Sequence, residues 1–342
     1  MAMPMSLQIS MNPPSSLPNQ HLALHFSSPQ PHSHLLPFMR RKSRPRTRLR
    51  LPCTPRRALE EPAMPPGSAA AEEDGDASFS VVAALQSQYN EIVVVDTPES
   101  RFLLLDSTQN IHSLLNKEQK WTGSYWDEFV SLPAIVPPGP IAIFGLGGGT
   151  AAQLMLQSWP SLQLESWEID GILIDIAREY FGLSGLERPT EAGGFLSVHI
   201  GDALSQSATV PGGFAGIIVD LFCDGKILPQ LKEVSTWLDI NKKLMPNGRI
   251  MVNCGGAHAE VSNGGERPTN TSVSNGSWLQ NSTIKALCQA FPNELSWKRM
   301  AEQESENYLA LTGPPPDLNT WSAVLPSPLS SNVKHWKPCK LA

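Results

Sequence analysis

The chain reads as an α/β protein. A mostly parallel sheet with helices on both faces is closed by an antiparallel C-terminal strand pair and preceded by a small N-terminal β domain. Three observations predict this. From Ile141 onward, short apolar runs alternate with amphipathic stretches, the pattern of strand–crossover–strand units. The run "IAIFGLGGGTAAQLM", residues 141–155, ends a strand in Gly145, Gly147 and Gly149 and passes straight into a helical pattern. Near the end, "NELSWKRM" and "ENYLALTG" are two strand candidates with only a short polar turn between them, so they must pair antiparallel.

Residues 1–59 hold nine of the 26 Lys and Arg and none of the 32 Asp and Glu. This segment is also rich in Ser and Pro, and it lacks the continuous apolar core of a secretory signal. Such a composition is that of an organelle transit peptide, for a plastid first and a mitochondrion as the alternative. Residues 60–77, rich in Pro, Ala and acids, read as a disordered linker, so residues 1–70 are set apart from the fold and order begins near Ser78.

An N-terminal β-hairpin domain, 78–136, follows, with strands 91–96 and 101–106 joined by a turn at Pro98 and Ser100. "GSYWDEFVSLPAIV" leads as a helix to a break at Pro137, Pro138 and Pro140. An α/β domain, 137–313, then alternates strand 141–145, helix 150–158, strand 162–168, helix 171–181 and strand 195–200. A short helix near 203–208, strand 215–220, helix 230–244, strand 249–254 and helix 278–290 complete it before the closing strand pair. The polar stretch 255–277 overhangs the carboxyl end of a strand, and the Pro- and Ser-rich tail 314–342 reads as irregular.

Once the basic leader is set aside, the body is strongly acidic, which argues against nucleic acid as a partner. No apolar run reaches the ~18 residues that span a bilayer, so no membrane partner is expected. The five cysteines form no CxxC pair, and no His sits at metal-ligand spacing, so no metal is expected. His112, His199 and His258 read as structural or surface residues.

Glycines after a strand let backbone N–H groups face a ligand at the start of the next helix. Gly147, Gly149 and Ala152 satisfy G-x-G-x-x-A, and Glu168 ends the second strand where an acid accepts from a ribose, so a dinucleotide fits locally. Asp202 directly follows the third strand and Asp220 ends the fourth. Three acids at the ends of successive strands line the crevice where open α/β sheets bind ligands. The geometry puts Glu168 on ribose hydroxyls, Asp202 on an adenine amine and Asp220 near a reacting sulfonium.

From about Tyr89 to Cys254 the chain resembles the spermidine synthase (polyamine aminopropyltransferase) family. "SQYNEIVVVD…RFLLLDSTQ" is similar to the family's S-x-Y-x-x-I and L-x-L-D-G-x-x-Q hairpin, and "YWDEFVSLP" to Y-H-E-x-x-x-H-x-P. "GLGGGTAA" resembles the G-G-G-D-G loop, "WEID" the V-E-I-D and "GDA" the G-D-A. "IIVDLFCDG" resembles V-D-S-S-D-P, and "LMPNGRIMVNCGG" the L-x-P-G-G segment. The resemblance implies a Rossmann-like, methyltransferase-type sheet, whose antiparallel end a dinucleotide dehydrogenase lacks. It also implies a site for S-adenosylmethionine or its decarboxylated form at Gly145, Gly147, Gly149, Thr150, Glu168, Asp170, Asp202, Ala203 and Gln109. Asp220 becomes the catalytic group, with Tyr125, Asp127 and Asp224 on the acceptor side. A homodimer through the N-terminal strands is permitted.

Four departures bear on activity. Thr150 replaces the family's Asp, which holds the free amine of the decarboxylated nucleoside. Trp126 and Ser131 replace its two His residues, Asp224 falls one residue late, and Ser107 replaces a glycine. The leading expectation is aminopropyl transfer to a polyamine amine or other small-molecule acceptor. A methyltransferase is the alternative that Thr150 supports, and a catalytically silent binding protein the one that the acceptor-side substitutions support.

Overall fold

The computed structural model describes residues 79–106, 108, 110–223, 225–256, 277–300 and 307–339. The expectations for residues 1–70, the linker 60–77, Ser78, Ser107, Gln109, Asp224 and the stretch 257–276 lie outside the described residues. The chain divides into Met1–Ala70 and Ala71–Ala342, and the second unit holds every element that follows.

Where a single hairpin is expected, an antiparallel sheet of four strands stands: β1 (Ser80–Gln86), β2 (Glu91–Asp96), β3 (Ser100–Leu104) and β4 (Ser113–Asn116). The two inner strands carry the apolar runs. The outer two escape sequence reading because β1 is mostly exposed and β4 is four residues long. Ile92, Val94 and Leu103 bury one face of this sheet against Leu173, Ile176 and Phe181.

A short helix α1 (Tyr125–Phe129) leads into the second sheet. Its elements are β5 (Ile141–Phe144), α2 (Thr150–Ser158), β6 (Gln163–Glu168), α3 (Gly171–Tyr180), α4 (Leu183–Leu186), β7 (Phe195–Ile200) and β8 (Phe214–Val219). A two-residue hairpin, β9 (Phe222–Cys223) and β10 (Lys226–Ile227), precedes α5 (Val234–Asn241), β11 (Leu244–Gly256), α6 (Ser282–Ala290), β12 (Leu295–Arg299) and β13 (Asn307–Thr312). The chain closes with α7 (Leu318–Ala323), α8 (Leu329–Asn332) and β14 (Lys337–Pro338).

The large sheet runs β14-β12-β13-β11-β8-β5-β6-β7. β11, β8, β5, β6 and β7 pair parallel, whereas β13 lies antiparallel between β11 and β12. The chain leaves β5 toward β6 and β7, then returns to β8 on the other side. The switch point between β5 and β8 is where such sheets open a ligand crevice.

Three expectations are corrected. Residues 203–208 form turns rather than a helix: Asp202 accepts from the Leu204 N–H, and the buried Lys243 ammonium takes the carbonyls of Ser205 and Ala208. Helix 230–244 is a 3₁₀ turn over Pro229–Lys232 followed by the shorter α5, because the chain enters β11 at Leu244. The tail is not irregular. Trp321, Leu325, Leu329, Val333 and Trp336 are buried in the core on one face of the sheet, and β14 pairs with β12. Apolar residues scattered among Pro and Ser show no clean period, yet their burial is what holds the segment down.

No helix among the described residues is long and apolar enough to cross a membrane.

Candidate functional site

Strand register builds the site. β5 and β8 align Phe144 with Val219, β6 and β7 align Glu168 with Ile200, and β11 and β8 align Val252 with Val219. Glu168 and the residues one step past these pairs, Gly145, Ile169, Gly201, Asp220 and Asn253, therefore form a row at the carboxyl edge. A cavity of about 220 Å³ opens there. Gly145, Gly147, Glu168, Asp202, Ala203, Asp220 and Tyr125 all line it, with Tyr89 and Asn90 from the β1–β2 turn and His112 from the approach to β4.

The glycine loop turns out to be a closed structure. Gly145 has φ +86, and a Cβ there would collide with the carbonyl oxygen of Asp220. Gly147, at φ +55, would set a Cβ 2.8 Å from the Ser113 hydroxyl. Neighbouring protein therefore demands these glycines, whatever the ligand. The loop's N–H groups are also occupied. Glu168 accepts from Leu146 at 3.2 Å and Gly147 at 3.1 Å, Ser113 Oγ accepts from Gly148 at 2.7 Å, and Gly149 donates to the Leu146 carbonyl at 3.0 Å. A pyrophosphate needs such donors free. The dinucleotide reading thus loses its phosphate site.

Glu168 is buried and accepts a third N–H, from Asp170. Burial raises its pKa and the three backbone donors pull it back. Asp202 is exposed and spends one oxygen on the Leu204 N–H.

Asp220 sits at the end of β8. Its Oδ2 accepts from the Tyr125 hydroxyl at 3.2 Å and its Oδ1 from the Asn253 amide at 2.9 Å. Burial raises its pKa from 3.8 to about 6, against the opposing pull of hydrogen bonds from Asn253, Tyr125 and Trp126. The Tyr125 hydroxyl is pushed well above its usual range, by burial first and the Asp220 charge second. A carboxyl group poised near neutrality within hydrogen-bonding reach of a cavity has the character of a general base.

Four other expected site residues lie away from the cavity walls. Thr150 is buried at the start of α2, where its hydroxyl accepts from the Leu114 N–H at 2.9 Å and donates to the Leu114 carbonyl at 3.0 Å. It pins β4 and does not face the cavity. Gly149, the N-cap of α2, is likewise not among the lining residues. Asp170 caps α3 through the Ile172 and Leu173 N–H groups, and its other oxygen accepts from Ser87 and Asn90, tying the two sheets together. Asp127 is committed to the turn before α1, accepting from Thr122 N–H and hydroxyl and from Gly123 N–H. Burial raises its pKa. For Thr150, Asp170 and Asp127, a framework donor has claimed the carboxylate or hydroxyl that sequence assigns to a ligand.

Three lining or supporting residues were not expected. Asn253 is buried and holds Asp220, and only the pairing of β11 with β8 brings the two together. His112, read as structural or surface, lines the cavity with its pKa lowered by burial. Tyr89 stands in the stretch "SQYNEI", and that motif was its available signal. Among the described residues, no group of His, Cys, Asp and Glu forms a metal site.

No protein-family model matches the chain. Over 169 residues it is 27% identical to a probable polyamine aminopropyl transferase of Bifidobacterium longum (strain NCC 2705), covering 49% of this chain and 36% of that protein. The matched stretch thus spans little more than a third of the relative. A spermidine synthase from Thermotoga maritima superposes with a TM-score of 0.51 at 15% identity, over 68% of this chain and 72% of that one. A spermidine synthase in complex with the transition-state analogue AdoDATO gives a TM-score of 0.50 at 15% identity, over 69% and 73%. At such identities the structural likeness is one of fold.

Proposed function

We propose that this chain, a divergent spermidine-synthase-like member of the methyltransferase-like superfamily, binds a cationic sulfonium nucleoside and transfers its aminopropyl group to a primary amine. The observation that carries this reading is the cavity's charge. Glu168, Asp202 and Asp220 line it, and among the described residues no Lys or Arg does. Such a wall attracts a sulfonium and an ammonium group and opposes a pyrophosphate. It also leaves the carboxylate of ordinary S-adenosylmethionine without a cationic partner, which favours the decarboxylated form.

The chemistry requires an unprotonated amine to attack the carbon beside sulfur. The new C–N bond forms as the C–S bond breaks, and methylthioadenosine leaves. Asp220 accepts the proton from the attacking amine, which its pKa of about 6 suits at neutral pH. Asn253 and Tyr125 orient that carboxyl group. Glu168 lies closer to the framework than expected. It braces the glycine loop, and its lining position leaves it beside the nucleoside. Thr150 supports neither rival, since its hydroxyl is engaged by Leu114.

The test mixes the full chain with decarboxylated S-adenosylmethionine and either putrescine or spermidine, and follows methylthioadenosine. Release that depends on the amine supports transfer. Nucleoside binding with no product from any amine makes the chain a silent binding protein, and methyl transfer from ordinary S-adenosylmethionine makes it a methyltransferase. For residues 1–59 we propose plastid import, which a fluorescent fusion to residues 1–70 checks.

A further inference from the structure

We propose that Cys288 and Cys339 form a reversible thiol–disulfide couple that locks the C-terminal segment onto the sheet. The two sulfurs lie 2.8 Å apart although the residues are 51 positions apart in sequence. That separation exceeds the roughly 2.05 Å of a disulfide bond, and both cysteines are free thiols here. Cys288 sits on the buried side of α6 and Cys339 directly follows β14, where its N–H donates to the Leu295 carbonyl at 2.7 Å. They are 1% and 3% exposed.

The covalent link would close a segment with structural weight. Between Thr312 and Cys339 the chain buries Trp321, Leu325, Leu329, Val333 and Trp336, and the Trp321 indole donates to the Ser131 carbonyl behind α1. α1 carries Tyr125 to Asp220. The anchor at the end of this segment is slight, since β14 pairs with β12 only at Ser296–Pro338 and Trp297–Lys337. Opening of so short an edge strand exposes Cys339 to attack.

The exchange balances with a small-molecule disulfide as oxidant. One cysteine thiolate attacks it and releases a thiol. The second then attacks the mixed disulfide and releases the other thiol, so two electrons and two protons leave the protein. Burial raises the Cys339 thiol pKa, and its neighbour Cys288 raises it further, so reaction proceeds through the opened strand and is slow in the closed state.

The full chain is incubated with oxidised glutathione or with dithiothreitol, in the absence and presence of low urea, then digested without reduction and mapped by mass. The expected result is a Cys288–Cys339 linked peptide, about 2 Da lighter than the sum of its reduced parts. A thermal midpoint about 5 °C higher in the oxidised protein should accompany it and vanish in Cys339→Ser. Both thiols intact after oxidation in low urea would overturn the proposal, as would Cys339 linked to glutathione or Cys223 alone. The peptide map on the unaltered chain decides even if the variant fails to fold.

Discussion

The two ends of the cavity are built differently. At the glycine-loop end, Glu168 binds N–H groups of the loop beside it, and Asp202 binds one two residues on. At the Asp220 end, the carboxyl group is held by Tyr125 from α1 and Asn253 from β11, and α1 is itself buttressed from the C-terminal tail. The Glu128–Lys298 ion pair at 2.7 Å, almost wholly buried and joined by the Asn332 amide, ties α1 to β12 and α8. The acids of the first end therefore rest on N–H groups at the strand ends, whereas Asp220 depends also on α1 and, through it, on the C-terminal tail. Substitutions should fail in correspondingly different ways: loss of ligand at the first end, loss of chemistry or of the whole fold at the second.

The largest expected effect is that of Asp220→Asn. It should lower amine-dependent product release by about 10²–10⁴-fold and leave nucleoside affinity within about tenfold, as read by turnover and by calorimetry. Transfer that survives would remove Asp220 from its role. In the unaltered chain, kcat/KM should fall as pH drops through about 6, where Asp220 takes up its proton.

Next in size is Lys298→Met, which leaves Glu128 buried without its cation. It should cost about 3–5 kcal/mol in denaturant unfolding. The double change Glu128→Leu with Lys298→Met should recover much of that. A single variant as stable as the parent would mean that this buried ion pair does not brace α1.

Asp220 also bears on stability. Its folded pKa lies above its unfolded value, so ionisation weakens the native state. The penalty is absent below about pH 4, grows as pH rises and is complete above about 6. Asp220→Asn should therefore be more stable than the parent at pH 8, by about 1–3 kcal/mol, and lose that advantage near pH 4. Equal stability at both pH values would count against a buried, strained carboxylate.

Thr150→Asp sharpens the contrast from the loop side. A carboxylate forced against the Leu114 carbonyl should cost about 1–3 kcal/mol of stability and leave the choice between the two nucleosides unchanged. A changed preference would return position 150 to the ligand site. The smallest effect is that of Asn253→Ala. With that donor lost, the Asp220 pKa rises and the acid limb of the kcat/KM profile moves upward by less than about one pH unit, with nucleoside affinity retained.

What sequence alone determined is the set of properties that repeat locally. Apolar alternation from Ile141, glycines where φ is positive, and acids at strand ends each follow from rules spanning a few residues. From them came the mostly parallel sheet with its antiparallel end, and Glu168, Asp202 and Asp220 as cavity residues. Tertiary structure decided which hydrogen-bonding partners each polar group meets. Thr150, Asp127 and Asp170 carry the same chemistry as a ligand-binding group, but Leu114, Thr122 and Ser87 reach them first. Asn253 looks ordinary until parallel pairing sets it beside Asp220, and the Pro-rich tail has no periodicity until its tryptophans find the core. Local rules set a residue's conformation and character. Which group satisfies a buried donor or acceptor depends on chain segments brought together only by folding, and no stretch of sequence read by itself contains that information.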